Sequence, residues 1–309
     1  MTVVPDEGLY LSRYESSGMR LLISLLIISA AVFHCSPASA VDETKPHVVL
    51  VVGTLHYSPE LSMPLFAKEL ERIGFRTTVV MGDGDPEKKT ENVLPGIEVL
   101  SEADAAIFFM RFLKLPDREW QPIEDYLKSG KPVIGLRTAN HSFKYPKGHP
   151  RFEWNDGFGR RALGTPYIVH QSSTTQIGVI DKNMSHPIMT NVSSSKWESE
   201  GTLYVTRLEG VCVPLLSGTG QGRGRLLQKA FGTILVNQSE ADIVAWTWEN
   251  EWGGKVFCTS LGHPADFGQE SFTRMLVNSV CWATGKPLPA ADEKITTWTI
   301  ERADKKPKK

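Results

Sequence analysis

The feature that most restricts the fold is a series of short apolar runs, each followed by a turn or by a helical pattern. The first run, HVVLVVG at residues 47–53, is apolar at successive positions and ends in glycine. A strand with this pattern is typically buried on both faces, as in a parallel sheet. Apolar residues at helical spacing then lead to Gly74, and a second run follows at 75–81. Together these segments predict a βαβ unit.

The same arrangement occurs a second time. Residues 105–110 and 133–136 are predicted strands, and Asp117 is expected to cap a helix that ends at Ser129-Gly130 between them. Strands that alternate with helices at this spacing predict right-handed crossovers and a doubly wound α/β sheet.

The next part of the chain is less regular. Residues 143–169 are rich in Gly, Pro, Arg and aromatic residues, which predicts a lid or binding loop beside the sheet. Residues 172–180 alternate as an antiparallel edge strand does. The glycine-rich stretch at 218–225 is followed by no GK[ST] and is interpreted as a mobile loop rather than a phosphate loop, so no cofactor is expected.

The two ends of the sequence differ in composition from the region between them, and this difference sets the predicted domain boundaries. With no internal repeat visible, a single domain is placed at residues 45–288, and residues 289–309 are expected to form a disordered tail. Residues 1–40 are predicted to be a signal-peptide region with Met19 as a possible start. A basic residue precedes about 13 apolar residues, too few for the ~20 that a membrane span needs, and small residues lead to a cleavage site after Ala40.

This N-terminal pattern predicts an exported protein, secreted or periplasmic, without a stable membrane span. The net charge of −1 offers no basic face for nucleic acid. The expected partner is a small molecule, and the oligomeric state is left open.

The candidate site comes from loops that follow predicted strands. His56 follows the first strand, His141 the fourth and His263 the last, while Arg137 and Asn140 lie in the same loop as His141. In a doubly wound sheet these loops meet at one edge, where ligands bind. Imidazole exchanges protons near neutral pH, and guanidinium holds an oxyanion in a fixed geometry.

We therefore assign candidate catalytic roles to Arg137, His141 and His263. The candidate substrate-binding residues are His56, Tyr57, Asn140 and Asp266. Two alternatives remain open: a three-histidine metal site, although no closely spaced histidine pair supports one, and purely structural roles for these side chains.

Several segments together resemble one family. These are the GLRTANHSF element at 135–143, the early His56-Tyr57, the GKVFCTSLGH strand and turn, and the final NSVCWATG helix. In order and spacing they are similar to the ThuA-like (trehalose-utilisation) family over residues 46–287. The resemblance implies a class I glutamine amidotransferase-like fold, with a flavodoxin-like, mostly parallel sheet and irregular insertions.

The resemblance also bears on activity. Those amidotransferases place a cysteine nucleophile after a strand and follow their histidine with Pro-Glu. Here Arg137 stands at the nucleophile position and Ala265 at the glutamate position, so a thioester route and glutaminase activity are not expected. The family implies a role in catabolism of trehalose or related glycosides, through 3-keto sugars. A histidine base would remove the proton beside the ketone and Arg137 would stabilise the enolate. The alternative is a non-catalytic carbohydrate-binding protein.

Overall fold

The computed structural model describes residues 44–83, 93–170, 174–221, 226–229, 232–235 and 241–300. All of these belong to one compact unit. The predicted signal-peptide region at 1–40 lies outside the described residues. Within the described ranges, no helix is both long enough and apolar enough to cross a membrane.

The elements of the described residues follow in chain order. The strands are β1 (His47–Gly53), β2 (Arg76–Met81), β3 (Ala105–Met110), β4 (Val133–Leu136), β5 (Val169–His170), β6 (Thr175–Val179), β7 (Trp197–Ser199), β8 (Tyr204–Val205), β9 (Val213–Gly220), β10 (Leu226–Lys229), β11 (Gly232–Leu235), β12 (Ala241–Glu249) and β13 (Lys255–Thr259). The helices are α1 (Pro59–Arg72), α2 (Asp117–Lys128), α3 (Trp154–Gly157) and α4 (Glu270–Thr284), with a π-helical turn at Phe158–Leu163 directly after α3.

Nine of the described strands form one sheet in the order β2-β1-β3-β4-β13-β12-β9-β6-β7. The first five pair in parallel, and every pair from β13 to β7 is antiparallel. In chain order the five parallel strands have the arrangement 2-1-3-4-5, which is that of flavodoxin-like doubly wound sheets. The predicted α/β fold class is therefore confirmed.

The inner parallel strands β1, β3 and β4 are buried on both faces because helices cover each side. Val48, Leu50 and Val52 of β1 pack into one core with α1 and α4, while Val49 and Val51 point into a second core with α2 and the 154–163 helices. Every residue of β1 is buried. Apolar residues at successive positions are what such a strand requires, since neither face meets water.

Some local expectations from the sequence are wrong. Asp117 does not cap α2, because Pro116 holds the cap position and the Asp117 carboxylate pairs with the Arg151 guanidinium at 2.5 Å. The strand within 172–180 is not at an edge, because β6 lies between β9 and β7. Residues 218–220 belong to β9 rather than to a loop, and residues 222–225 lie outside the described residues.

Two larger segments are also packed more closely than the sequence indicated. In the segment predicted to be a lid or loop, Trp154 and Phe158 are buried in the second core. Beyond α4, Ile295 is buried and the Trp298 ring stacks on Phe267 with ring centroids 5.3 Å apart. The folded unit thus extends past the predicted boundary at residue 288, and residues 301–309 lie outside the described residues.

Candidate functional site

Backbone strain marks one edge of the parallel strands. Tyr57 and Ser58 follow β1, Phe112 follows β3 and Arg137 follows β4, and all four have positive φ, between 50° and 74°. Residues other than glycine rarely adopt this left-handed conformation, and strain of this kind concentrates at functional sites. The carboxyl ends of three neighbouring strands therefore form the candidate functional site.

The centre of this edge is the buried guanidinium of Arg137, which is only 2% exposed. Nη1 donates to the Ser260 carbonyl at 2.6 Å and to the Thr202 carbonyl at 3.3 Å. Nη2 donates to Tyr57 Oη at 3.0 Å and to Thr202 Oγ1 at 3.2 Å. The Tyr57 and Tyr204 rings lie 4.3 and 4.9 Å from the guanidinium carbon. Burial opposes the charge, yet the pKa of Arg137 lies above its ordinary value because of Tyr57 and Tyr204.

Asp266 supplies the opposite charge. Its carboxylate is 1% exposed, and Oδ2 accepts hydrogen bonds from the backbone N–H groups of Gly262 at 2.8 Å and His263 at 2.9 Å. Burial raises the pKa of this carboxyl group, and hydrogen bonds from Ser199 and Gly262, with the charge of Arg137, oppose the rise. Asp266, a predicted substrate-binding residue, thus bonds to the backbone of the turn that carries His263.

The hydrogen bonds of His141 and His263 assign different tautomers to the two rings. His141 Nδ1 lies 2.8 Å from Asn140 Oδ1, which can only accept, so Nδ1 carries the proton and Nε2 is the acceptor of the ring. His263 Nδ1 accepts the backbone N–H of Ala265 at 3.2 Å, so in the neutral ring Nε2 carries the proton. His141 Nε2 is thus set up to accept a proton, and His263 Nε2–H to donate a hydrogen bond.

The predicted loops do converge, with Arg137 between them. On one side the His56 ring packs edge-on against Tyr57, with centroids 4.2 Å apart, and Tyr57 lies 5.8 Å from His263. On the other side Tyr204 lies 5.9 Å from His141. All seven predicted site residues therefore belong to this cluster or to the turns that shape it.

Sequence reasoning missed several partners. Tyr204 and Thr202 hold Arg137, and the Tyr167 ring lies 4.3 Å from His141 while its hydroxyl group bonds to His170 Nδ1. Only Tyr167 carried a signal, as an aromatic residue in the segment predicted to line the crevice. Gly201 is required for space, because a Cβ there would lie 2.8 Å from Arg137 Nη1.

Among the described residues, no three His, Cys, Asp or Glu side chains form a group that could hold a metal ion. The three-histidine alternative thus gains no support from this geometry. Cys258 of β13 lies beside β4, since a Cβ on Gly135 would be 3.0 Å from its sulfur. Burial raises the pKa of this thiol well above its ordinary value, which keeps it protonated.

The family model described as ThuA, trehalose utilisation, matches residues 48–283. This chain belongs to the ThuA family. The predicted resemblance is confirmed, and the class I glutamine amidotransferase-like fold fits the family and the observed strand order. Comparison with curated proteins gives no match.

Solved structures agree with the ThuA fold. A ThuA-like protein from Parabacteroides merdae is 15% identical, with a TM-score of 0.55, and the match covers 80% of this chain and 92% of that one. A ThuA-like protein from Bacteroides uniformis is 18% identical, with a TM-score of 0.51 and coverage of 80% and 94%. At this identity the likeness concerns the fold alone.

Proposed function

We propose that this ThuA protein is exported and acts in the catabolism of trehalose or a related glycoside, by acid–base chemistry on a 3-keto derivative. The family description supports the carbohydrate. The N-terminal pattern at residues 19–40 supports export. The observation that carries the chemistry is the pair of opposite tautomers on His141 and His263.

In the proposed reaction His141 takes up the proton and His263 stabilises the leaving group. His141 Nε2 removes the acidic hydrogen on C2, beside the C3 ketone, and the electron pair forms a C1–C2 double bond as the C1–O bond breaks. The His263 Nε2–H donates a hydrogen bond to the departing oxygen, which takes up a proton from water while the His141 imidazolium returns its proton to solvent. Positioned imidazoles contribute about 10²–10⁴-fold in rate through such transfers.

The role of Arg137 differs from the one predicted. Its guanidinium is buried and its Nη atoms bond to protein groups, which does not fit direct contact with a substrate oxyanion. Because arginine only donates, Tyr57 Oη accepts from Nη2 and turns its own proton toward another acceptor. Arg137 thus acts as a positioning residue for Tyr57, and its charge reaches the site through a low-dielectric region.

One observation favours a second function, carbohydrate binding without catalysis. At the turn where related amidotransferases carry a nucleophile, this chain has Arg137, and its hydrogen bonds to Thr202 and Ser260 fill the space with protein contacts. A fold that has lost its nucleophile in this way retains a crevice that can bind a sugar.

The experiment is incubation of the mature protein with trehalose, other disaccharides and their 3-keto derivatives, read by mass spectrometry. Wild type is expected to convert a keto derivative, and His141→Ala to lose about 100-fold or more of that rate. His186→Ala, which removes a histidine packed on Trp282, is the control and should keep full turnover. Binding without conversion would establish the second function. Amino-terminal sequencing of protein from the culture medium or periplasm tests export, with Val41 as the expected first residue.

A further inference from the structure

A cavity of about 270 Å³ lies beside the histidine cluster, and part of its wall is the segment that the sequence predicts to be a lid or binding loop. Its walls come from the 154–163 helices, the loop after them, and the loop before β9. The lining residues are Asp156, Arg160, Pro166, Tyr167, Ile168, Arg207 and Glu209. We refer to this as the Tyr167 cavity. Its volume is near the lower limit of ordinary small-molecule pockets, about 300 Å³, which suits one sugar ring.

The Tyr167 cavity is joined to the site through Tyr167 itself. This residue lines the cavity and its ring also lies 4.3 Å from the His141 ring. The Tyr167 backbone N–H donates to the Asn140 carbonyl at 3.3 Å, which fixes the cavity wall to the turn after β4. A ligand that spans both places would therefore pass along one tyrosine.

The remaining walls are also held in place by hydrogen bonds. The backbone N–H of Glu209 donates to the Gly164 carbonyl at 2.8 Å, and that of Arg207 donates to Thr165 Oγ1 at 3.1 Å. These bonds tie the two loops together across the cavity. A preformed wall lowers the entropic cost of binding.

The chemistry of the lining favours a neutral polyhydroxylated ligand. Arg160 and Arg207 offer donors, Asp156 and Glu209 offer acceptors, and the four charges balance. Arg160 and Glu209 also form an ion pair with each other, which orients both groups. Sugar hydroxyl groups both donate and accept, so they match such a mixed lining, whereas an anion would meet two carboxylates. Tyr167, Pro166 and Ile168 supply the apolar surface against which a sugar ring packs.

We propose that the Tyr167 cavity is a subsite for the second sugar ring, so that the substrate is a disaccharide or glycoside whose other ring reacts at His141. The inference rests on the proposed function and deepens it. Arg160, Arg207 and Glu209 then determine specificity by binding the part of the substrate that does not react. Binding energy from such a remote ring is a normal source of specificity in enzymes.

The test compares two adjacent arginines of one helix. Arg160 is 46% exposed and pairs with Glu209, while Arg161 is 37% exposed and pairs with Glu251 outside the cavity. Binding of trehalose and of glucose to wild type, Arg160→Ala, Arg161→Ala and Glu209→Gln is measured by calorimetry, after each variant is shown to melt cooperatively. Glu209→Gln keeps the shape of the side chain and serves if Arg160→Ala does not fold.

The expected result is a selective loss. Arg160→Ala and Glu209→Gln should weaken trehalose binding about tenfold and change glucose binding about twofold or less, while Arg161→Ala changes neither. Equal effects of the two arginine substitutions, equal effects on both sugars, or no trehalose binding by wild type at tens of millimolar would each overturn the subsite. Turnover separates the two proposals. If wild type and Arg160→Ala convert a keto sugar at the same rate, the acid–base function is supported and the subsite is not. If Arg160→Ala weakens binding and no sugar is converted, the subsite is supported and the acid–base function is not.

Discussion

The parallel and antiparallel halves of the sheet contribute differently to the site. In the parallel half (β2, β1, β3, β4 and β13), strands β1, β3 and β4 are buried at every position, and each is followed by a residue with positive φ at the site edge. The antiparallel half (β12, β9, β6 and β7) mixes buried and exposed positions, and the segment between β7 and β9 carries Thr202 and Tyr204 to Arg137.

This difference defines two roles: the parallel half presents the histidines at the site, and the segment between β7 and β9 supports Arg137. The parallel half presents the histidines because strand ends converge at one edge. The segment between β7 and β9 instead closes over a single buried cation and fixes it. If this division is right, substitutions in the support should cost stability as well as activity, and substitutions in the presenting loops should cost mainly activity.

The largest expected effect is that of Arg137→Met. Removing a buried charge leaves the Ser260 carbonyl, Tyr57 Oη and the Asp266 carboxylate without their cation, so the free energy of unfolding should fall by about 3–5 kcal/mol. Urea denaturation measures it. The control is Arg207→Met, whose side chain is 67% exposed and should change stability by about 0.5 kcal/mol or less. Equal small effects would show that the guanidinium does not hold the two halves together.

Gly201→Ala should have the next largest effect. The new methyl group would lie 2.8 Å from Arg137 Nη1, so the guanidinium must move, at a cost of about 1–3 kcal/mol. Gly178→Ala in β6 is the matched control, because a Cβ there meets only Ser217 Oγ at 3.8 Å. Thermal melting of both variants compares them. A Gly201→Ala protein as stable as the control would mean that the Arg137 guanidinium can move within the segment between β7 and β9 without loss of stability.

Tyr57→Phe tests a residue of the presenting loops, because Tyr57 lies in the loop after β1. It removes one hydrogen bond to Arg137 and should cost about 1 kcal/mol of stability, with a large loss of any keto-sugar turnover. Tyr126→Phe removes a hydrogen bond to the Pro132 carbonyl at the opposite edge of the sheet. It should cost similar stability and leave turnover intact. If both variants keep full turnover, Tyr57 does not belong to the reacting site.

The smallest expected effect is the pH dependence contributed by Asp266. Its folded pKa is raised above the ordinary value of 3.8, so the native state holds this proton more tightly than the unfolded state does. The stabilising contribution is full below that value and is lost as the pH rises through the folded pKa. Relative to Asp266→Asn, wild type should therefore lose stability on going from pH 3.5 to pH 7. Parallel stability curves for the two proteins over that range would contradict a raised pKa.

Much of the fold could be predicted because its signals are local. The unbroken apolar residues of β1, β3 and β4 identify strands buried on both faces, and Gly74 and Gly285 mark helix ends. Local signals failed where a tertiary partner decided the outcome. Alternation in β6 indicated one buried face but could not show that strands pair on both sides of it.

The sequence predicted which loops form the site but not which side chains contact one another there. His56, His141 and His263 could be assigned to one edge because parallel strands share a direction. Tyr204 could not be assigned to that edge from the sequence, because the short strand β8 pairs with β5 outside the nine-stranded sheet. The same holds for Gly201, whose role is to leave space for a side chain 64 positions earlier in the sequence.

By itself, the sequence determined the order of the elements, the edge at which the loops meet, and the presence of Arg137 rather than a cysteine at the turn after β4. The tertiary structure decided what these residues do there. The guanidinium bonds to Thr202 and Ser260, which lie 65 and 123 positions away in the chain. Hydrogen bonds to Asn140 and Ala265 determine which nitrogen of each histidine carries its proton. The physical reason is range: apolar periodicity and turn residues act over a few positions, whereas a buried charge and a ring tautomer depend on atoms that only folding brings together.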